Sequence, residues 1–213
     1  MVNLRISEIF FSLQGEASRI GLPTVFVRLT GCPLRCAWCD TSYAFTGGKL
    51  MLLADILAEI GRYPAREVCV TGGEPLAQKD CLALLSALCD AGYAVSLETS
   101  GALDIADVDP RVARIMDIKA PDSGESGRNR WENLACLTRN DEIKFVLASR
   151  ADYVWACAAI REHRLDTLCP VLMSPAQGRL DARELAEWIL ADGLPVRFQV
   201  QLHKLLWGNM QGR

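Results

Sequence analysis

Gly31-Cys32-Pro33-Leu34-Arg35-Cys36-Ala37-Trp38-Cys39-Asp40-Thr41 sets three cysteines at a C-x3-C-x2-C spacing. An apolar, β-branched run over 24–29 precedes it, and Gly31 and Pro33 turn the chain where that run ends. Three thiols are thereby gathered in a short loop at the C-terminal end of a strand, where parallel α/β sheets carry their chemistry. Thiolates are soft ligands that select zinc, copper(I) or iron–sulfur clusters. A structural zinc site closes with four ligands, and the nearest histidine is His163, so no fourth ligand is local. A four-iron cubane on three cysteines leaves one iron open to a substrate or cofactor.

Working outward, residues 3–13 nearly alternate (Leu4, Ile6, then Ile9, Phe11, Leu13) and predict a strand. The loop 14–18 leads to the strand before the cysteines. Downstream, Gly47-Gly48 predicts a turn and 50–61 a helix, with Leu50, Leu53, Ile56, Leu57 and Ile60 on one face. Strands are expected at 67–70, 93–97, 114–118, 142–147, 167–173 and 195–200. Helices are expected at 80–91 (closed by Gly92), 131–137, 151–163 and 181–191 (capped by Asp181, with Glu184 three residues on). This strand–loop–helix rhythm predicts an α/β fold with about six parallel strands, a partial, splayed (β/α)6 barrel in a single domain over 1–213. An open flavodoxin-like sheet is the alternative.

The chain has 213 residues, 50% hydrophobic and 23% charged, with a formal net charge of -3. Nothing there marks a nucleic-acid face. No signal peptide and no long apolar run is read, so a cytoplasmic protein without a membrane span is expected. Nine cysteines in such a chain are not a disulfide framework. Cys69, Cys81, Cys89, Cys136, Cys157 and Cys169 are scattered through apolar segments and read as small core residues.

The remaining polar residues of interest fall after strands, on one rim. Gly72 and Gly73 in Thr71-Gly72-Gly73-Glu74-Pro75 would let a ligand touch the backbone. Glu98 ends an apolar strand as either a pocket residue or a surface carboxylate. Asp117 and Lys119 flank Ile118 and point the same way; Lys119 could bind a ligand or pair with Glu98 or Asp117. Lys144 lies within an apolar strand and needs a partner or a ligand, with Glu142 the local candidate. Ser174 could hydrogen-bond a heterocycle.

The cysteine spacing resembles the signature of the radical S-adenosylmethionine (SAM) superfamily. That resemblance implies that Cys32, Cys36 and Cys39 hold a [4Fe–4S] cluster whose fourth iron is chelated by SAM. It implies that Trp38 packs near the adenine and that Gly72, Gly73 and Glu74 bind the methionyl amino group. It further implies that Asp117 and Lys119 meet the carboxylate or ribose of SAM, and it brings the same partial barrel.

A narrower resemblance covers almost the whole chain. Phe11-Ser12-Leu13-Gln14-Gly15-Glu16, Phe26-Val27-Arg28, the cysteine loop, Thr71 to Pro75, Glu98-Thr99-Ser100-Gly101 and Gln201-Leu202-His203-Lys204-Leu205 together look like the 7-carboxy-7-deazaguanine synthase family. It implies a lyase of queuosine-precursor biosynthesis that turns 6-carboxy-5,6,7,8-tetrahydropterin into 7-carboxy-7-deazaguanine with loss of ammonia. The implied route is reductive cleavage of SAM, abstraction of the pterin C6 hydrogen by the 5′-deoxyadenosyl radical, ring contraction and return of the hydrogen. Magnesium is implied, with Thr41 as its ligand.

Those residue types suit such a substrate. A pterin carboxylate calls for a cation, Arg28 or Lys144, and its N–H groups for acceptors, Gln14, Glu16 or Glu98; Ser174 remains a candidate. His203 lies over the substrate by resemblance. The family also implies a homodimer and a flavodoxin or ferredoxin electron donor. Ala17 stands where some members carry glycine, a departure that matters only if φ is positive there. The rivals are an activase of a glycyl-radical enzyme, which would need a protein-binding groove, and a cysteine-ligated zinc module.

Overall fold

The computed structural model describes residues 2–212; Met1 and the last tail residue, Arg213, lie outside the described residues. The chain opens with β1 (Asn3–Leu13) and β2 (Pro23–Leu29), paired antiparallel. After the cysteine loop come β3 (Lys49–Leu52) and α1 (Leu53–Ile60). A repeating pattern follows: β4 (Glu67–Gly72), α2 (Cys81–Asp90), β5 (Ala94–Thr99), β6 (Ala113–Asp117), β7 (Glu142–Leu147) and α3 (Arg150–His163). The chain ends with α4 (Leu165–Leu168), β8 (Val171–Pro175), α5 (Ala182–Asp192), β9 (Arg197–Phe198) and α6 (Leu202–Trp207).

Among the described residues the strands form one sheet in the order β3-β1-β2-β4-β5-β6-β7-β8-β9. From β2 onward every neighbouring pair is parallel. This is the partial barrel: six parallel strands of five or more residues, with the two-residue β9 added at one end.

The two faces of the sheet differ in chemistry. One face packs Val25, Val27, Val68, Val70, Leu97 and Phe145 against helix residues such as Ile56, Leu84, Leu88 and Ile160. The opposite, inner face carries Arg28 beside Thr71, then Glu98 beside Ile115, then Asp117 beside Lys144. A parallel sheet is ordinarily apolar on both faces, so a polar inner face marks where the ligands go.

Strand β1 changes phase midway. Ile6 lies opposite Leu29 but Glu8 lies opposite Arg28, so Ser7 is an extra residue, a β-bulge. Leu4 and Ile6 pack in the core before the bulge, and Ile9 and Phe11 pack against it afterwards. Glu8, Phe10 and Ser12 are thereby turned to the inner face, opposite Arg28, Phe26 and Thr24.

Four expected elements differ. The helix expected over 50–61 begins only at Leu53, because Lys49–Leu52 pairs antiparallel with Asn3–Ile6 and occupies the outer edge of β1. Within the strand expected over 167–173, Thr167 and Leu168 are helical and pairing starts at Val171, just past Pro170, which has no N–H to give. The strand expected over 195–200 shrinks to Arg197–Phe198, which pairs with Leu172 and Met173 of β8 before Gln199 N–H makes a last bond to Met173 O. The 131–137 helix is a 3-10 segment, Trp131–Cys136.

The helix ends follow their residues. Gly92 N–H donates to Cys89 O and Tyr93 N–H to Leu88 O, with Gly92 at φ +82°, a Schellman closure of α2. Asp181 accepts from the Arg183 and Glu184 amides at the start of α5. Cys69, Cys81, Cys157 and Cys169 are buried, while Cys89 and Cys136 are partly buried against the core.

Candidate active site

The cysteine loop leaves β2 at the C-terminal rim and is tied down from several sides. Gly31 N–H donates to Ala44 O (2.8 Å), and Gly31 O accepts from Glu74 N–H (2.8 Å). Ala37 N–H donates to Ser123 O, and Arg35 N–H to the Glu125 carboxylate. Gly73 packs so tightly here that a Cβ would collide with Gly31 O and come within 2.8 Å of Cys32 Cβ. Only glycine fits between the two loops. Leu34 N–H lies 3.4 Å from Cys32 Sγ, a weak donor to a ligand sulfur.

The loop forms one wall of a cavity of about 680 Å³, a size suited to bound small molecules. Cys32, Cys36, Cys39, Trp38 and Thr41 line it from the loop. Gly72, Gly73, Glu98, Asp117, Lys119 and Lys144 line it from the later strands, and Gln14, Glu16, Arg28 and His203 complete it. The structure thus brings together fifteen of the seventeen residues expected at the site. The remaining two, Glu74 and Ser174, lie behind the wall.

Glu74 was expected to face a ligand. It is instead fully buried, and its carboxylate accepts from Leu76 N–H, Thr99 Oγ1, Ser100 N–H and Ser100 Oγ. With those donors satisfied it braces the loop after β5. Ser174 lies opposite Val146, a cavity residue, so it shares the inner face. It is 1% exposed, and its hydroxyl is buried without a hydrogen-bond partner. Asp117 Oδ1 is likewise unpartnered, although its Oδ2 lies 2.9 Å from Lys119 Nζ.

The floor is a charge network. Lys144 Nζ lies 2.6 Å from Glu16 Oε2 and 3.7 Å from Asp117 Oδ2. Its partner is therefore not Glu142, which accepts from Ser18 N–H instead. Burial opposes the Lys144 ammonium, but Glu16, Asp117 and Glu98 outweigh it and hold its pKa well above the ordinary value. Burial would raise the Glu16 pKa, yet Lys144 and a hydrogen bond from Gln201 bring it down to about 2. Glu98 accepts from Thr71 Oγ1 (2.9 Å) and Gln14 Nε2 (3.3 Å). Lys119 pairs with Asp117, not Glu98.

The loop after β1 runs against the starts of β4, β5 and β7, where Arg19 meets Glu67 and Ala94 O and Ser18 N–H meets Glu142, and it also meets the chain around β9. Gly15 O accepts from Leu202 N–H, Glu16 from Gln201 Nε2, Ala17 N–H donates to Gln199, and Ser18 Oγ accepts from Arg197. Ala17 stands at φ +62°, so the condition under which its departure from glycine matters is met. His203, on α6, packs on Gly15 so closely that a Cβ there would collide with its ring. Burial lowers the His203 pKa, keeping the ring neutral at pH 7.

Several residues escaped the sequence reading. Gln201 holds Glu16, Lys204 reaches Asp40 (3.3 Å), Arg179 lies over Trp38 (5.7 Å to the ring centroid), and Glu8 and Tyr43 flank Arg28. Gln201 and Lys204 sit in the very stretch that carries His203. Glu8 is a carboxylate inside an apolar strand, itself a signal.

Comparison with known proteins agrees with this geometry. The Radical SAM superfamily model matches residues 26–189. A 7-carboxy-7-deazaguanine synthase from Chlorobaculum tepidum is 49% identical, covering 96% of this chain and 94% of its own. One from Koribacter versatilis is 45% identical over 96% and 97%. The crystal structure of QueE from Escherichia coli superposes with a TM-score of 0.80 at 26% identity, over 95% and 96% of the two chains.

The chain belongs to the 7-carboxy-7-deazaguanine synthase family. Membership of the radical SAM superfamily implies a [4Fe–4S] cluster and SAM, and the donor set fits them. Among the described residues no three His, Cys, Asp or Glu side chains are arranged to hold a single metal ion; a cubane asks each thiolate to reach a different iron. Burial pushes the Cys32 and Cys36 thiols up, so their protons leave when metal binds. The unpartnered Asp117 oxygen, in a lining that Gly72 and Gly73 also share, suits a polar end of SAM. Among the described residues no helix is long and apolar enough to cross a membrane.

Proposed function

We propose that this synthase-family chain converts 6-carboxy-5,6,7,8-tetrahydropterin to 7-carboxy-7-deazaguanine with loss of ammonia. The observation that carries the reading is one cavity with three thiols on its rim and a floor of charge-paired polar groups, Arg28, Glu16–Lys144 and Glu98. When bound, the cluster and SAM supply a radical that removes and later returns a substrate hydrogen. Every other task falls to this chain's residues.

Cys32, Cys36 and Cys39 hold the cluster. Trp38, Gly72, Gly73, Asp117 and Lys119 hold SAM, with Glu74 bracing the loops behind them. Arg28 uses Nε on Glu8, which leaves Nη1 and Nη2 for the substrate carboxylate. Glu98 and Gln14 face the pterin N–H groups, and the Glu16–Lys144 pair supplies one charge of each sign at the floor. Ser174, 1% exposed and outside the cavity lining, is not placed against the heterocycle as expected. Neutral His203 covers the substrate from α6. Thr41, 3.7 Å from Cys39 Sγ, would offer its hydroxyl to Mg2+, which would supply positive charge for the substrate carboxylate; magnesium commonly uses few protein ligands.

The chain acts as a single domain over 1–213, supported by the continuous sheet. It works in the cytoplasm as a homodimer, with flavodoxin or ferredoxin as donor and neither nucleic acid nor membrane as partner. The test is anaerobic turnover of iron- and sulfide-reconstituted protein with SAM, reductant, Mg2+ and 6-carboxytetrahydropterin, with products followed by mass. A 7-deazaguanine carboxylate is expected. Release of 5′-deoxyadenosine without it would discard the substrate while keeping the radical SAM core.

A further inference from the structure

The bulge in β1 has a chemical result. Without the bulge, the regular register would set Ser7 opposite Arg28; with it, Glu8 takes that place. Ser7 is accommodated by a hydrogen bond to Thr30 Oγ1 (2.7 Å). Glu8 Oε1 then accepts from Arg28 Nε (2.7 Å) and from Tyr43 Oη (2.7 Å). The guanidinium lies beside two rings, 5.8 Å from the Phe10 centroid and 6.0 Å from that of Tyr43. Both members of the ion pair are mostly buried, 14% and 15% exposed. Bulges beside active sites commonly re-aim a side chain. Here the side chain is a carboxylate that engages the one arginine nitrogen a bidentate ligand need not use.

We propose that Glu8, set in place by the Ser7 bulge and steadied by Tyr43, is a positioning residue that orients Arg28 so that Nη1 and Nη2 receive the substrate carboxylate together. This rests on the reading that Arg28 binds that carboxylate. Glu8 lies outside the cavity lining and its carboxylate meets only Arg28 and Tyr43, so its removal reaches the cavity through Arg28. An unheld guanidinium rotates about several bonds and gives up bidentate geometry, and hydrogen bonds to charged groups of this kind carry about ten- to a hundredfold in affinity.

The test is calorimetric binding to holoenzyme with SAM and Mg2+ but no reductant, so that nothing turns over. The probes are 6-carboxytetrahydropterin and tetrahydropterin without the carboxylate. Glu8→Ala is expected to weaken the carboxylate probe about tenfold and leave the other unchanged. Glu8→Gln, whose amide oxygen still accepts from Nε, is expected to recover most of the loss. In Arg28→Ala protein, adding Glu8→Ala is expected to cost nothing further, and circular dichroism is expected to show all variants folded. An equal loss for both probes, or an undiminished Glu8→Ala loss in the Arg28→Ala background, overturns the proposal. If Arg28→Ala alone binds both probes as the parent does, the reading of Arg28 fails instead, and the two failures are told apart. Should Glu8→Ala fail to fold, Glu8→Gln and Tyr43→Phe carry the test, and equal weakening of both probes in each overturns it.

Discussion

Lys144 shows how one residue can serve stability and site at once. It lies in the middle of β7 with its charge 2.6 Å from Glu16, and both groups are mostly out of water. Removing one member of a buried pair leaves the other uncompensated, at about 3–5 kcal/mol. Lys144→Met is therefore expected to lower the unfolding free energy by about that amount at pH 7. The pH dependence has a definite sign. The Glu16 pKa falls from 4.5 to about 2 on folding, so its contribution is full above about 4.5 and is lost as pH drops toward 2. In Lys144→Met protein, burial without the lysine raises the Glu16 pKa, so the carboxyl accepts a proton more readily on acidification. The stability gap between the two proteins should narrow from pH 7 to pH 4 in denaturant titrations; a constant gap would mean that the pair is not what holds Lys144. Ala17 is a smaller case of the same kind. A left-handed alanine costs roughly 1 kcal/mol relative to glycine, so Ala17→Gly is expected to raise the melting temperature by about 2–4 °C. A decrease would show that the buried methyl outweighs the backbone strain.

At the scale of elements, α6 is held by few contacts: Leu202 N–H on Gly15 O, Lys204 on Asp40 and the His203 ring on Gly15. It has no buried residues of its own, and His203 rests on Gly15 where a methyl group would not fit. Gly15→Ala is expected to displace His203, speed amide exchange over 202–207 and raise the substrate KM, leaving exchange in β4 to β8 unchanged. Unchanged exchange in α6 would mean that something else docks the helix. Other elements were plain in the sequence because their signals are local. Gly92 and Asp181 closed and opened helices by chemistry within a turn of themselves. The β1 bulge was also written there: apolar residues sit at 4 and 6, then at 9 and 11, and that skipped step is the bulge. What could not be read depended on distant partners. Residues 49–52 carry apolar residues at helical spacing, and only the free edge of β1 makes them a strand. The three thiols and the two glycines were legible from spacing and placement. That Lys144 pairs with Glu16, 128 residues away, or that Glu74 turns inward to Thr99 and Ser100, follows from the assembled fold alone.

The whole molecule has to solve a problem of closure. Six full parallel strands do not complete a barrel, and the sheet ends at β9 on one side and β3 on the other. The seam is spanned by a ladder in reversed order: Gly15 to Leu202, Glu16 to Gln201, Ala17 to Gln199 and Ser18 to Arg197. The first two contacts face the cavity, while Gln199 and Arg197 lie outside its lining. They can be changed without touching the thiol loop. Gln199→Ala with Arg197→Ala leaves the buried Ala17 amide without an acceptor, a loss of about 1–3 kcal/mol. The loop carrying Gln14 and Glu16 should then loosen while the sheet stays intact. Expected are an unchanged cluster absorption spectrum and SAM affinity, a raised pterin KM, and more 5′-deoxyadenosine released per product, because the substrate side of the cavity is less well enclosed. If the loop exchanges amide protons faster but KM and the product ratio hold, the ladder serves the fold and not the reaction. If SAM affinity falls with pterin affinity, the two halves of the cavity are mechanically joined, and the division of labour between the thiol loop and the seam loop is wrong.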